Sequence, residues 1–135
     1  MSSNTANTSD TSNTLSPANE DYLEAILLLS DDQDSVRSVE IAEHLKVSKA
    51  SVSKAIGVLK QAGLVDHDHY GLIQMTSAGK NLAREIMQRH NMLKRFLTEV
   101  LNIDEDTAEQ DACRMEHAIS SETKEKWLAY LSRVL

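Results

Sequence analysis

One cysteine in the whole chain, Cys113, leaves no internal disulfide to be made and suits a reducing cytoplasm. The first residues hold no basic segment followed by an apolar run, so no secretory signal is expected. No stretch is long and apolar enough to span a bilayer, and no membrane partner is expected. The common reaction-bearing motifs are missing as well: there is no H-E-x-x-H pair, no glycine-rich phosphate loop and no serine nucleophile elbow. Enzyme function is therefore not expected, a small metalloenzyme being the rival from that class. No internal repeat is visible, and 135 residues suffice for one packed core with a small appended element. Apolar residues are nearly absent from residues 1–16, MSSNTANTSDTSNTLS, and a chain that cannot bury apolar surface is expected to stay a disordered tail.

Acid is missing from one stretch in particular. Residues 46–62 hold Lys46, Lys49, Lys54 and Lys60 and neither Asp nor Glu, a local +4 in a chain whose net charge is −7. Around them, IAEHLKVSKASVSKAIGVLKQAGLV at 41–65 organises the sequence. Ile41, Ala42 and Leu45 recur at helical spacing; after a short break Val52, Ile56 and Leu59 do so again. Two short amphipathic helices with a brief turn between them form a helix-turn-helix. Ser48 stands where the second helix begins, its hydroxyl able to accept from an orphan N–H of the first turn. At about 100° per residue, Val52, Ile56 and Leu59 share one face while Ala50, Lys54, Gly57 and Gln61 point the opposite way. That outward face is small and basic, a shape suited to a DNA major groove, with Ser48, Lys49, Ala50, Ser51, Ser53 and Lys54 as the expected contacts. Gly57 costs about 1 kcal/mol in a helix interior relative to Ala, and close backbone approach is the expected compensation. The bland alternative is a pair of ordinary core helices with lysines on a solvated face. The segment after the second helix argues against it: Leu64, Val65 and Asp66, the turn HDHYG at 67–71 and LIQMT at 72–76 read as a β-hairpin. Helix, turn, helix and hairpin make a winged helix, whose wing usually rests on phosphates.

The single proline, Pro17, fits the first turn of a helix capped by Ser16 and running through ANEDYLEAILLLSDD. Tyr22, Ile26 and Leu29 share its apolar face, Asp21 and Glu24 lie three residues apart on another, and Asp31, Asp32 and Asp34 end it in a polar loop. After the wing, Thr76 or Ser77 starts a long helix to about Leu101, broken by Asn102. Its stripe is Leu82, Ile86, Leu93, Leu97 and Val100, with His90 in the stripe position between Ile86 and Leu93. Asp104, Glu105 and Asp106 open a further helix with acids at its positive end, running to about Ile119. Ser120 or Ser121 caps a last helix whose face is Trp127, Leu131 and Val134. The fold class expected is mainly α, with the domain boundaries at 1–16 for the tail, 17–76 for the winged helix and 77–135 for a helical remainder.

Cys113, Glu116 and His117 occupy positions i, i+3 and i+4 of one helix, so their side chains converge. They centre about 120° from the apolar stripe of Ala108, Ala112, Met115 and Ile119, which removes Cys113 from the middle of the buried face. A thiolate, a carboxylate and an imidazole on one arc are a partial shell for a borderline transition metal, and other segments must complete it. Asp21, Glu24 and His90 are the polar candidates on otherwise apolar helices. Each has an ordinary structural reading beside the metal one: an inert buried cysteine, a hydrogen-bonded core histidine, acids that complement a helix dipole. His44, His67 and His69 read as surface or wing residues.

NEDYLEAIL at 19–27, the helix-turn-helix and wing, QRHNMLKRFL at 88–97 and DACRMEHAIS at 111–120 together resemble the diphtheria-toxin-repressor family. The resemblance covers about residues 17–135. It implies a winged helix-turn-helix domain followed by an all-helical dimerisation domain, and a homodimer that represses transcription with Fe(II) or Mn(II) as corepressor. By position the primary ligands fall on Asp21, Cys113, Glu116 and His117, and second-site positions on Glu24, His90 and Glu109. Two departures stand out. Iron-type members have Met where Asp21 stands, and manganese-type members commonly have a carboxylate where Cys113 stands. A carboxylate one turn after His90, an ancillary ligand of iron-type members, is replaced by Lys94. The third, SH3-like domain of longer members is not expected here, and Ala50 stands where the family often has Pro. The function implied is a metal-activated repressor of metal-homeostasis genes acting on a double-stranded operator, with Fe(II) favoured over Mn(II) because a thiolate prefers the softer ion. The rival within the DNA-binding class is a metal-free regulator in which Cys113 senses oxidants.

Overall fold

The first helix, α1 (Pro17–Leu29), begins as its sequence dictates: Ser16 is extended and its hydroxyl oxygen accepts from Asn19 N, with Pro17 in the first turn. The computed structural model describes residues 15–30, 35–68 and 71–135. The Ser/Thr/Asn tail through residue 14, the acids Asp31, Asp32 and Asp34, and the wing residues His69 and Tyr70 lie outside the described residues. The α1 helix stops at Leu29 instead of running on to Asp32, because Ser30 turns extended while its N–H still bonds Ile26 O.

The chain divides into two compact units, one ending at Arg84 and one from Glu85 to Leu135. The first holds α1, β1 (Ser35–Arg37), α2 (Ser38–Leu45), α3 (Lys49–Gln61), β2 (Val65–His67), β3 (Leu72–Met75) and the opening turns of α4 (Ser77–Arg95). The three strands form one antiparallel sheet in the order β1-β3-β2, with Val36 opposite Ile73 and Val65 opposite Met75. The wing read from the sequence is present; β1 was not expected, since SVR offers a single apolar residue and too few positions to show alternation. On β3, Ile73 and Met75 are buried while Gln74 points outward and donates to Ser35 Oγ at 3.2 Å. Leu23 and Ile26 of α1, Ile41 of α2, Val52 and Leu59 of α3 and Ile73 are fully buried. Each such side chain contributes about 1.5–3 kcal/mol of transfer free energy. The turn between α2 and α3 is short because Lys46 takes a left-handed conformation (φ 58°) and Val47 N bonds back to Ala42 O.

In the second unit α4 continues to Arg95 and passes into a π-helical turn, Phe96–Val100, in which Leu101 N bonds Phe96 O. Five residues per hydrogen bond instead of four shift the helical phase. Val100, expected in the buried stripe with Leu93 and Leu97, is therefore 51% exposed. Asn102 ends the helix in a left-handed conformation (φ 58°), and Ile103 N closes it on Leu97 O. The α5 helix (Glu105–Ala118) is capped by Asp104 and α6 (Ser121–Val134) by Ser120. Leu93, Leu97, Ala108, Ala112 and Leu131 form the core of this unit, and Phe96 meets Trp127 edge-on with centroids 5.4 Å apart. Of the face expected on α6, Leu131 is buried, whereas Val134 in the last turn is 55% exposed. No helix among the described residues is long and apolar enough to cross a membrane.

Candidate metal centre and nucleic-acid interface

Four polar side chains of α5 lie on one arc of about 100°, in the order Glu116, Glu109, Cys113, His117. One end of that arc borders the alanine stripe, and there Glu116 is buried while Glu109 stays half-exposed. Toward the other end, Cys113 and His117 are half-buried, and Cys113 Sγ and a ring nitrogen of His117 come within 4.8 Å of each other. The helix thus offers its donors in two directions, where the i, i+3, i+4 spacing alone had suggested one converging trio.

The buried end faces α4. Glu116 Oε2 lies 3.5 Å from Arg89 Nε, and Glu116 Oε1 lies 3.9 Å from His90 Nδ1. Among the described residues Glu116 Oε2 accepts no hydrogen bond, although it is fully enclosed. The other ring nitrogen of His90, Nε2, meets Glu109 Oε2 at 2.7 Å, and Lys94 Nζ stands 3.2 Å from Glu109 Oε1. Burial raises the Glu109 carboxyl, but the neighbouring His90 and Lys94 outweigh it and hold the group below the usual glutamate value. His90, Glu109 and Glu116 are therefore brought together, with Arg89 and Lys94 as cations beside them. Arg89 was missed in the sequence, although QRHNMLKR places a second cation next to His90. Asp21 and Glu24 sit half-buried on α1 in the other unit.

A divalent ion fits one end of this arc and not the other. A thiolate and an imidazole one turn apart supply donors of the kind a borderline transition metal takes. The His90–Glu109–Lys94 end is already closed by the protein's own charges.

On the first unit, Ser48, Lys49, Ala50, Ser51, Ser53 and Lys54 are all exposed at the start of α3. The Ser48 oxygen accepts from Ser51 N at 3.1 Å and its hydroxyl donates to Ser51 Oγ at 3.0 Å, so these two serines hold the helix start. Among the described residues, nothing outside its chain neighbours and its own helix backbone lies within 4 Å of where a Gly57 side chain would begin, so this face is open there. The wing is less basic than α3: Asp66, His67 and Asp68 are exposed, and Asp68 Oδ1 accepts from Leu72 N to hold the hairpin turn.

Residues 14–72 match the sequence model of the iron dependent repressor N-terminal DNA binding domain. Residues 76–134 match that of the iron dependent repressor metal binding and dimerisation domain. The chain belongs to the iron-dependent repressor family. It is 31% identical over 113 residues to the diphtheria toxin repressor of Corynebacterium diphtheriae, a match covering 84% of this chain and 50% of that one. It is 32% identical over 120 residues to an uncharacterised HTH-type transcriptional regulator of Methanocaldococcus jannaschii, covering 88% and 96%. The chain thus spans half of the first relative and nearly all of the second. Among solved structures, a manganese-dependent transcriptional repressor in complex with manganese is 32% identical with a TM-score of 0.69, covering 84% of this chain and 52% of that one. A hypothetical protein from Sulfolobus solfataricus is 25% identical with a TM-score of 0.67, covering 88% and 91%. This family member is a winged-helix DNA-binding protein of the metal-dependent repressor class.

Proposed function

We propose that this chain is a cytoplasmic homodimer that represses metal-homeostasis genes when a divalent ion, Fe(II) ahead of Mn(II), occupies the Cys113–His117 end of α5. The observation that carries the reading is the approach of Cys113 Sγ and the His117 ring within 4.8 Å of each other. Asp21 enters as a further ligand on the resemblance alone. An ion would supply positive charge that the Cys113 thiolate and the Glu116 carboxylate neutralise, with the neutral His117 ring as a further donor. The thiolate favours Fe(II), while the carboxylates accept either metal.

On α3, Lys54 and its exposed neighbours are the groups offered to the operator. The recognition helices of a two-fold dimer must lie about 34 Å apart to enter successive major grooves, and ligands shift such an arrangement only by their differential affinity. Saturating one site at 100 times its dissociation constant is worth about 2.7 kcal/mol, and a dimer doubles it. Val100, Leu101, Tyr130 and Val134 of the second unit are each more than half exposed, apolar surface that a second copy would cover. Oxidant sensing by Cys113 is not favoured. It needs an exposed thiol of low pKa, and Cys113 is half-buried with Glu116 one turn away.

An anaerobic operator selection in Fe(II), Mn(II), Zn(II) and chelator, read with metal content, tests the proposal. Tight binding in Fe(II) or Mn(II) and none in chelator is expected. Equal operator affinity in chelator and metal removes it.

A further inference from the structure

The His90–Glu109 cluster lies where the resemblance puts a second metal site, and its residues do not fit one. We infer that the Lys94 ammonium, held between α4 and α5 against Glu109, takes the place of a second divalent ion, so that each protomer of this chain binds one ion. The inference rests on the metal reading above only for the ion that remains.

Both oxygens of Glu109 are already engaged. Lys94 Nζ is 3.2 Å from Oε1 and His90 Nε2 is 2.7 Å from Oε2. A ring nitrogen that donates its proton to a carboxylate has no lone pair left in that direction for a metal. His90 Nδ1 faces Glu116 Oε1 at 3.9 Å, and Glu116 has Arg89 Nε at 3.5 Å on its other oxygen. Two fixed cations and a histidine of α4 therefore face the two acids of α5. An ion bound to Glu109 would stand next to an ammonium that touches the same carboxylate, and like charges at that separation repel strongly where water is partly excluded.

The placement of Lys94 is built into the helix. It follows His90 by four residues, so both emerge on one face of α4. Only 27% of its side chain is exposed, so the stem is largely packed and the head is directed at Glu109. This arrangement ties α4 to α5 without metal.

Equilibrium dialysis of the full chain with Mn(II), with thermal melts in chelator and in excess Mn(II), tests this on wild type, Lys94→Gln and Lys94→Glu. Wild type should bind one ion per protomer and Lys94→Glu two. Lys94→Glu should melt lower than wild type in chelator and show the larger rise with Mn(II). A Lys94→Glu chain that folds only with Mn(II) supports the inference equally. Lys94→Gln removes the ammonium without adding a ligand and guards against repulsion as the cause. It should lose melting temperature in chelator and recover part of it in Mn(II). Two ions on wild type overturn the inference and leave the proposed function standing. No ion on wild type but one on Lys94→Glu does the reverse. Equal stoichiometry and equal Mn(II) shifts in wild type and Lys94→Glu also overturn it.

Discussion

Glu116 of α5 and Arg89 of α4 face each other 3.5 Å apart, with the Glu116 side chain 3% exposed and the Arg89 side chain 19% exposed. A charge so enclosed depends on its neighbours, since breaking an enclosed pair leaves an ion in a medium that solvates it poorly. Arg89→Gln should therefore destabilise the metal-free protein by about 1–3 kcal/mol. An ion at the Cys113–His117 end adds positive charge beside Glu116, so the loss should shrink in Mn(II). Urea melts in chelator and in Mn(II) check both halves. An equal loss in the two conditions would detach Glu116 from the metal.

Gly79 packs its α-carbon against the backbone of Leu64 so closely that an added Cβ would fall well inside van der Waals contact with the Leu64 carbonyl oxygen. That carbonyl also accepts from Thr76 N at 3.1 Å, and Thr76 Oγ1 accepts from Gly79 N at 3.0 Å to start α4. Helix propensity alone would make Gly79→Ala stabilising by about 1 kcal/mol. Backbone cannot yield as a flexible side chain does, so the clash should outweigh this and leave a net loss of about 1–3 kcal/mol. A melting temperature at or above that of wild type would show that the helix start can shift at little cost.

Lys54 stands exposed on the open side of α3, nearly two turns past the Ser48 cap and one turn before Gly57. Lys54→Ala should cost about 1–3 kcal/mol of operator binding and relax one operator position. Lys60, near the C-terminal end of the same helix, should act on phosphate or solvent, and Lys60→Ala should weaken all sequences alike. Binding of each variant to a panel of single-base operator changes separates the roles. A uniform loss for Lys54→Ala would move it to the phosphate class.

Periodicity and capping made the helices legible. Ser16, Ser48, Asp104 and Ser120 each cap the helix that begins after it, and Val52, Ile56 and Leu59 are buried as their spacing requires. Two things escaped for physical reasons. Strand β1 is too short to show a period, and it exists because β3 offers it an edge. The π turn at Phe96–Val100 has no composition of its own, and it turned Val100 outward against the 3.6-residue expectation. At the site, spacing put Cys113, Glu116 and His117 on one side of α5. It did not show that Glu116 lies nearest the alanine stripe and is drawn into the interior with Arg89 and His90. That depends on the packing of α4, which no window on α5 contains.

Cys113 decides between the metal reading and a structural one. If its sulfur holds an ion with His117, Cys113→Glu replaces a soft donor with a hard one at the same helical position. Hard oxygen suits Mn(II), so the ratio of Mn(II) to Fe(II) activation should rise. Cys113→Ala removes a donor without replacement and should weaken activation by both metals. A cysteine that is only packed predicts the opposite order. Ala would be tolerated with a small loss of stability, and Glu would destabilise by placing an unpaired charge in a half-buried position. Metal-dependent operator binding and melts in chelator, on both variants, separate the two. An unchanged metal response in Cys113→Ala would take the sulfur out of the site, and with it the preference for iron, because His117 and the carboxylates accept Mn(II) as readily.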